Sequence, residues 1–214
     1  MMNLLRYDTP PAIAAFTTGR DCCVEAMGLR TEELALPRQT HSDHVLWMHE
    51  SGRPEDTDAV ITDVPGLCVC VKTADCIPVL LYDTECSVVA AVHAGWRGTV
   101  AGIVSKTIKA MGCNPAHLHA IVGPGISQAA FEVGDEVFEQ FRNAGFPMPE
   151  IAVRQAKWHI DLWQANRWLL REAGVCDIHV SGICTYNNVA QFYSARREGI
   201  GTGRNLNGIF LKGS

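Results

Sequence analysis

Residues 88–99 read VVAAVHAGWRGT. The opening VVAAV is an unbroken apolar, largely β-branched run, which predicts a buried strand. No loop follows it. His93 ends the run, and Gly95, Trp96, Arg97 and Gly98 come at once. Then the period changes. In TVAGIVSKTIKAMGC, Val100, Ile103, Val104, Ile108 and Met111 fall on one helical face, and Gly112 is placed to stop the helix. A core strand that ends on a histidine and feeds directly into a helix constrains the fold strongly. The strand lies inside, the helix packs over it, and a polar side chain is delivered to the strand's end.

The rest of the chain supplies more short strands and a few helices. AIAAFTT, HVLWMH, TDAVIT, LHAIVGPGI, DIHVSGICT and the closing GTGRNLNGIFLKGS read as strands or strand-bearing segments. GLCVCVKTADCIPVLLYD contains Pro78, so it is two short strands or one strand broken near ADCIP. CCVEAMGL predicts a short helix. FEVGDEVFEQFRNAG and HIDLWQANRWLLREAG predict amphipathic helices, each ended by glycine. Strands and helices do not alternate strictly, so the expected class is α/β of an α+β-like kind, a mixed-sheet sandwich rather than a Rossmann sheet. Trp158, Trp163 and Trp168 recur at a spacing that keeps no single helical face, and they read as packing residues. At 214 residues, one domain over 1–214 is expected.

Composition excludes several classes of function. Hydrophobic residues make up 47% and charged residues 19%, enough apolar surface for a sizeable core. The net charge of -5 carries no basic stripe for nucleic acid. The longest apolar runs are too short to span a bilayer. The N-terminus is interrupted by Pro10 and Pro11 and has only Arg6 as an early positive charge, so it lacks a cleavable signal and a cytoplasmic location is expected. Nine cysteines without paired CxxC motifs fit neither a disulfide framework nor a zinc knuckle. Most read as small buried hydrophobes, including the CVC at 68–70.

Three polar groups stand where their neighbours predict none: His41 in RQTHSDHV, Cys76 in TADCIPVLL and His93 in AVHAGWRG. Each lies at or near the end of a strand-like run, where side chains of different strands converge. One thiolate and two imidazoles form a ligand set suited to zinc, with a fourth position left open for chemistry. The same atoms also suit a metal-free nucleophile, a Cys76 thiolate with His93 as its imidazolium partner. Residue types alone leave both readings open. Arg97 and the helix start beside it are candidates for an anion site, with Gly95 and Gly98 permitting close approach. A plain strand-to-helix turn with a surface arginine is the other use of that stretch. Asp75, His44 and Asp43 are candidates for a general acid or base by proximity in sequence. Arg196, Arg197 and Arg204 concentrate in YSARREGIGTGRN, either as a substrate-facing loop or as a solvated basic turn. His117 and His119 form the chain's one HxH pair.

In this order, RQTHSDHV, TADCIPVLL, AVHAGWRGT, GPGISQAAFEVGDEV, CTYNNVAQFYSARREG and GTGRN resemble the YfiH-like family, also called the laccase-domain or polyphenol-oxidase family. The resemblance runs from about residue 36 to the C-terminus. It implies a cysteine-hydrolase-like α/β sandwich and a zinc held by His41, Cys76 and His93. It implies a purine nucleoside and phosphate as substrates: phosphorolysis of adenosine, inosine, guanosine and methylthioadenosine, and deamination of adenosine. The family's laccase label carries copper, but a multicopper cluster needs several HxH pairs, so zinc is the expected metal. TTGRDCCVEAMGL is shorter than the family's glycine-rich segment there, so no substrate contact by Arg20 is carried over. Three other readings remain: a metal-free Cys–His hydrolase or amidase acting on a small amide such as a cell-wall precursor, a copper-dependent phenol oxidase as the legacy label has it, and a binding protein that keeps the fold without turnover.

Overall fold

The computed structural model describes residues 3–213. Its centre is a six-stranded mixed sheet, in the order 177–180, 119–122, 77–83, 88–94, 59–62 and 45–47. Ile77–Asp83 and Val88–Ala94 are antiparallel neighbours in the middle, paired Ile77 to Ala94 and Pro78 to His93. A five-stranded sheet of 4–6, 13–18, 205–211, 68–73 and 34–35 covers one face. Helices Ile103–Met111 and Leu162–Glu172 cover the other. The molecule is therefore a mixed α/β sandwich with the six-stranded sheet as its middle layer.

That placement explains the unbroken apolar runs. Ile77, Val79 and Leu81 face the helices with Val92 and Ala94. Leu80 and Tyr82 face the second sheet, against Val69, Val71, Ile209 and Leu211. A strand buried on both faces has no polar side to alternate with. Cys68 and Cys70 lie on the outer face of the five-stranded sheet with Phe16 and Leu34, their sulfurs 3.4 Å apart, as packing residues.

Pro78 does not break a strand. The break falls earlier, at residues 74–76, where the chain leaves Cys68–Thr73 and crosses to the other sheet as Ile77–Asp83. Three predicted helices differ in extent, and in HIDLWQANRWLLREAG the helix starts only at Leu162, after His159 and Ile160 end a strand. The helix after His93 begins sooner, at Trp96 with Gly95 as its N-cap, and runs only to Val100. Gly102, at φ 76°, then turns the chain before Ile103–Met111. In FEVGDEVFEQFRNAG the helix covers only Asp135–Asn143. Glu132 and Val133 instead pair with His159 and Trp158 in a small three-stranded sheet, where β-branched Val133 and aromatic Trp158 suit strands.

Candidate metal centre

Three strand ends meet at one place. Cys76 immediately precedes Ile77–Asp83, His93 is the penultimate residue of Val88–Ala94, and Asp58 immediately precedes Ala59–Thr62. Antiparallel register puts Asp58 opposite His93, whose backbone N–H donates to the Asp58 carbonyl at 2.8 Å. His41 arrives from a loop. Gln39 fixes that loop by acting as one more ladder residue: its amide donates to the Lys72 carbonyl at 2.8 Å, and its side-chain oxygen accepts the Lys72 N–H at 2.7 Å.

The buried carboxylate of Asp58 organises the centre. It accepts the backbone N–H groups of Thr40, His41 and Ser42 at 3.0, 3.1 and 2.9 Å, and the Ser42 hydroxyl at 2.8 Å. Those bonds hold His41 at φ 64°, a left-handed conformation unusual for a residue other than glycine. Asp58 also accepts the Nδ1–H of His93 at 2.6 Å, which leaves Nε2 as the ring nitrogen aimed at the site. His41 Nε2 lies 3.8 Å from Cys76 Sγ, and the two imidazole rings meet edge-on at 4.8 Å. One ligand atom from each of His41, Cys76 and His93 lies within 4.8 Å of the others.

Charge follows the geometry. Burial works against an ionised Cys76, but the neighbouring His93 and His41 outweigh it and bring the thiol down to about 6. Burial also opposes charge on His93, yet Cys76 and Asp58 lift it to about 9. Asp58 is held well below the usual carboxylate range, because the His93 and backbone hydrogen bonds exceed the cost of its burial.

The donor set fits a metal of the zinc class. A thiolate and two imidazoles converge, one imidazole is oriented by a carboxylate, and there is room among them. The room exists because residue 95 is glycine: a Cβ there would stand 3.1 Å from Cys76 Sγ, 3.1 Å from His41 Cδ2 and 3.8 Å from His93 Cε1. No histidine cluster of three or more that could hold a metal occurs among the described residues. His117 and His119 turn instead to Glu85 at 2.8 Å and Asp177 at 2.5 Å.

The centre forms part of the wall of a cavity of about 780 Å³. Trp96, Ile126 and Phe131 give it apolar walls, and Arg38, Lys72, Arg196 and Arg204 give it positive charge. Burial, then the neighbouring Arg53 and Arg204, lowers the pKa of Lys72.

Several sequence candidates lie elsewhere. Arg97 is exposed, packs over the Trp96 ring at 4.3 Å and does not line the cavity. The helix it was expected to share with an anion is a single short turn. His44 is exposed and turned to Asp56 at 3.0 Å, and Asp43 is paired with Lys106. Asp75 lines the cavity, but its carboxylate is engaged by the Thr185 hydroxyl at 2.7 Å, the Ser194 hydroxyl at 3.0 Å and the Arg196 N–H at 2.7 Å. It anchors the 194–196 loop. Of the three clustered arginines, Arg196 and Arg204 reach the cavity, while Arg197 donates to the carbonyls of Thr185 and Phe192 at 2.8 Å each. Arg20 bonds to the Val189 carbonyl and to Glu198, outside the cavity. Asp58, Lys72, Arg38 and Phe131 were not singled out from sequence. For Asp58 the available signal is a lone acid set at the entry of an apolar strand.

Comparison with known proteins places the chain in a family. The family model described as multi-copper polyphenol oxidoreductase laccase matches residues 5–212. The chain belongs to this family. A purine nucleoside phosphorylase of Bacteroides thetaiotaomicron is 44% identical, over 88% of this chain and 77% of that protein. The adenosine deaminase RL5 of an unknown prokaryotic organism is 41% identical, over 87% of this chain and 78% of that protein. The crystal structure of the Bacillus licheniformis hypothetical protein YfiH superposes with a TM-score of 0.89 at 26% identity, covering 94% of this chain and 93% of that one. Among the described residues, no helix is long and apolar enough to cross a membrane.

Proposed function

We propose that this family member is a zinc-dependent purine nucleoside enzyme, which cleaves adenosine, inosine, guanosine and methylthioadenosine with phosphate and deaminates adenosine. The observation that carries the reading is the convergence of His41, Cys76 and His93 within 4.8 Å beside a cavity with cationic and aromatic walls. Relatives named purine nucleoside phosphorylase and adenosine deaminase support the substrate class.

His41, Cys76 and His93 would hold the zinc, with Asp58 orienting His93. Bound zinc supplies Lewis acidity that brings water activation near pH 7. Lys72, Arg196 and Arg204 hold the phosphate dianion by charge-assisted hydrogen bonds. Trp96 and Phe131 offer flat apolar surfaces to the purine. Asp75 keeps Arg196 in place through its backbone N–H, and so sets where the phosphate lies.

The test pairs metal analysis with turnover. In unchelated protein, Cys76→Ala is expected to remove about one equivalent of zinc and to abolish both activities. Adenosine should yield free base plus a ribose phosphate only when phosphate is present, while ammonia release proceeds without it. A zinc loss below about a tenth of an equivalent, or base release that survives Cys76→Ala, overturns the reading.

A second reading rests on one observation: Cys76 and His93 are shifted toward a thiolate–imidazolium pair. It makes the site a metal-free Cys–His amidase. It requires amide turnover that persists after chelation, which the zinc reading forbids.

A further inference from the structure

We propose that Asp83, Cys86 and Cys113 form a second metal site, for a borderline-soft divalent cation of the zinc class. It is independent of the catalytic reading. Asp83 ends the Ile77–Asp83 strand, whereas Cys76 lies just before its beginning, so the two sites are about 20 Å apart at ~3.3 Å per residue. Cys86 lies in the hairpin turn that follows. Cys113 lies in the loop just beyond helix Ile103–Met111. One ligand atom from each of the three lies within 4.8 Å of the others.

The carboxylate of Asp83 makes this more than a chance gathering of thiols. Its Oδ1 accepts the backbone N–H groups of Glu85 at 2.7 Å and Cys86 at 3.1 Å, which shapes the hairpin turn. Its Oδ2 is fully buried and has no hydrogen-bond partner. A buried carboxylate oxygen without a donor is costly, and buried charges are ordinarily paired or bound to a cation. The groups around it are also acidic. The His117 imidazole is turned to Glu85 at 2.8 Å, so it is engaged there and not with the cluster. A cation resolves all three problems at once: it satisfies Oδ2, stabilises both thiolates and offsets the gathered negative charge.

Two thiolates and one carboxylate are a tetrahedral set with one position left to solvent. Binding releases the Cys86 and Cys113 thiol protons to solvent. The cation would tie the hairpin turn to the end of the helix that packs behind His93. The role is that of a clip on the fold, since Asp83 stands at the far end of the strand from the cavity.

The experiment uses the full chain, stripped of metal, reduced and then titrated with zinc chloride. Cys76→Ala is the background, so that the catalytic centre cannot contribute. That variant should bind about one zinc and melt several degrees higher with zinc than without. Cys76→Ala/Cys86→Ser/Cys113→Ser should bind none and show no shift. In the wild-type chain, zinc should slow alkylation of Cys86 and Cys113 at least about tenfold, read peptide by peptide, which needs no variant to fold. Equal alkylation with and without zinc overturns the proposal. So does a Cys86–Cys113 disulfide that air oxidation forms as readily with zinc present as without it. Loss of protection at Cys76 alone would instead count against the catalytic reading.

Discussion

Asp58 does more for the candidate centre than any of the three residues that would touch a metal. One buried carboxylate fixes the rotation of His93, holds the strained backbone of His41 and supplies negative charge behind both. Asp58→Asn keeps the size and loses the charge. Zinc affinity is then expected to fall about 10–100-fold, measured by competition with a chromophoric chelator. The same change alters acid stability, and the sign follows from the shift. The folded pKa of Asp58 lies below the unfolded value of about 3.9. Its contribution is therefore fully present above pH ~4 and is lost as pH falls through the folded value. Urea unfolding across about pH 2–6 should show a shallower acid decline for Asp58→Asn than for the wild type, from a lower starting stability. Parallel curves would mean that Asp58 carries no such charge. Gly95 makes the complementary case. Gly95→Ala places a methyl 3.1 Å from both Cys76 Sγ and His41 Cδ2. Zinc occupancy is expected to drop about tenfold while the circular dichroism spectrum stays unchanged. At this scale the sequence was legible where residue type and motif coincide, at His41, Cys76 and His93. Asp58 was not, because an acid before a strand reads as an ordinary turn residue. Its role appears only when register brings it opposite a histidine 35 positions away.

Elements decide which charged residues face the cavity, and here sequence proximity misleads. Arg97 is one residue from Trp96, which lines the cavity, yet the first helical turn carries Arg97 outward onto the indole face. Asp75 is next to Cys76, but its backbone is left-handed at φ 86°, and its carboxylate is used to hold the 194–196 loop. In exchange, Lys72 and Arg204 reach the cavity from two adjacent strands and their flanks, which no local pattern announces. The helix that begins after His93 shows the same limit. Its apolar face was read correctly over Ile103–Met111, but the period is blind to the turn at Gly102 that splits it in two. Asp75→Asn tests the anchoring role. It weakens three bonds, two of them to hydroxyls, and should cost about 1–3 kcal/mol of stability in urea unfolding. If Asp75 positions Arg196, the KM for phosphate rises while zinc content stays the same. If Asp75 were instead the proton-transfer group, kcat would collapse and the KM for phosphate would be unmoved.

The whole molecule is acidic, with a net charge of -5, yet it gathers Arg38, Lys72, Arg196 and Arg204 around one cavity. Net composition therefore gave no sign of a basic stripe for nucleic acid but was silent about a local cationic site. The layers were readable as a class, since runs such as VVAAV demand burial. Which sheet lies in the middle was not readable, because that depends on pairings between strands far apart in sequence. The fold carries a consequence for binding. The net charge opposes a small dianion approaching this molecule, and the four cations draw it in at the cavity. Attraction over such distances is screened as the Debye length shrinks from about 10 Å at 0.1 M salt to about 3 Å at 1 M. The KM for phosphate should accordingly rise several-fold across that range, whereas the KM for an uncharged nucleoside such as inosine should change little. Lys72→Ala should raise the phosphate KM about tenfold in low salt and flatten its salt dependence, without changing zinc content. Steady-state phosphorolysis at several ionic strengths decides it. Were the nucleoside KM to follow the phosphate KM, salt would be acting on the fold or the metal, and the cationic wall would lose its assigned role as the phosphate's holder.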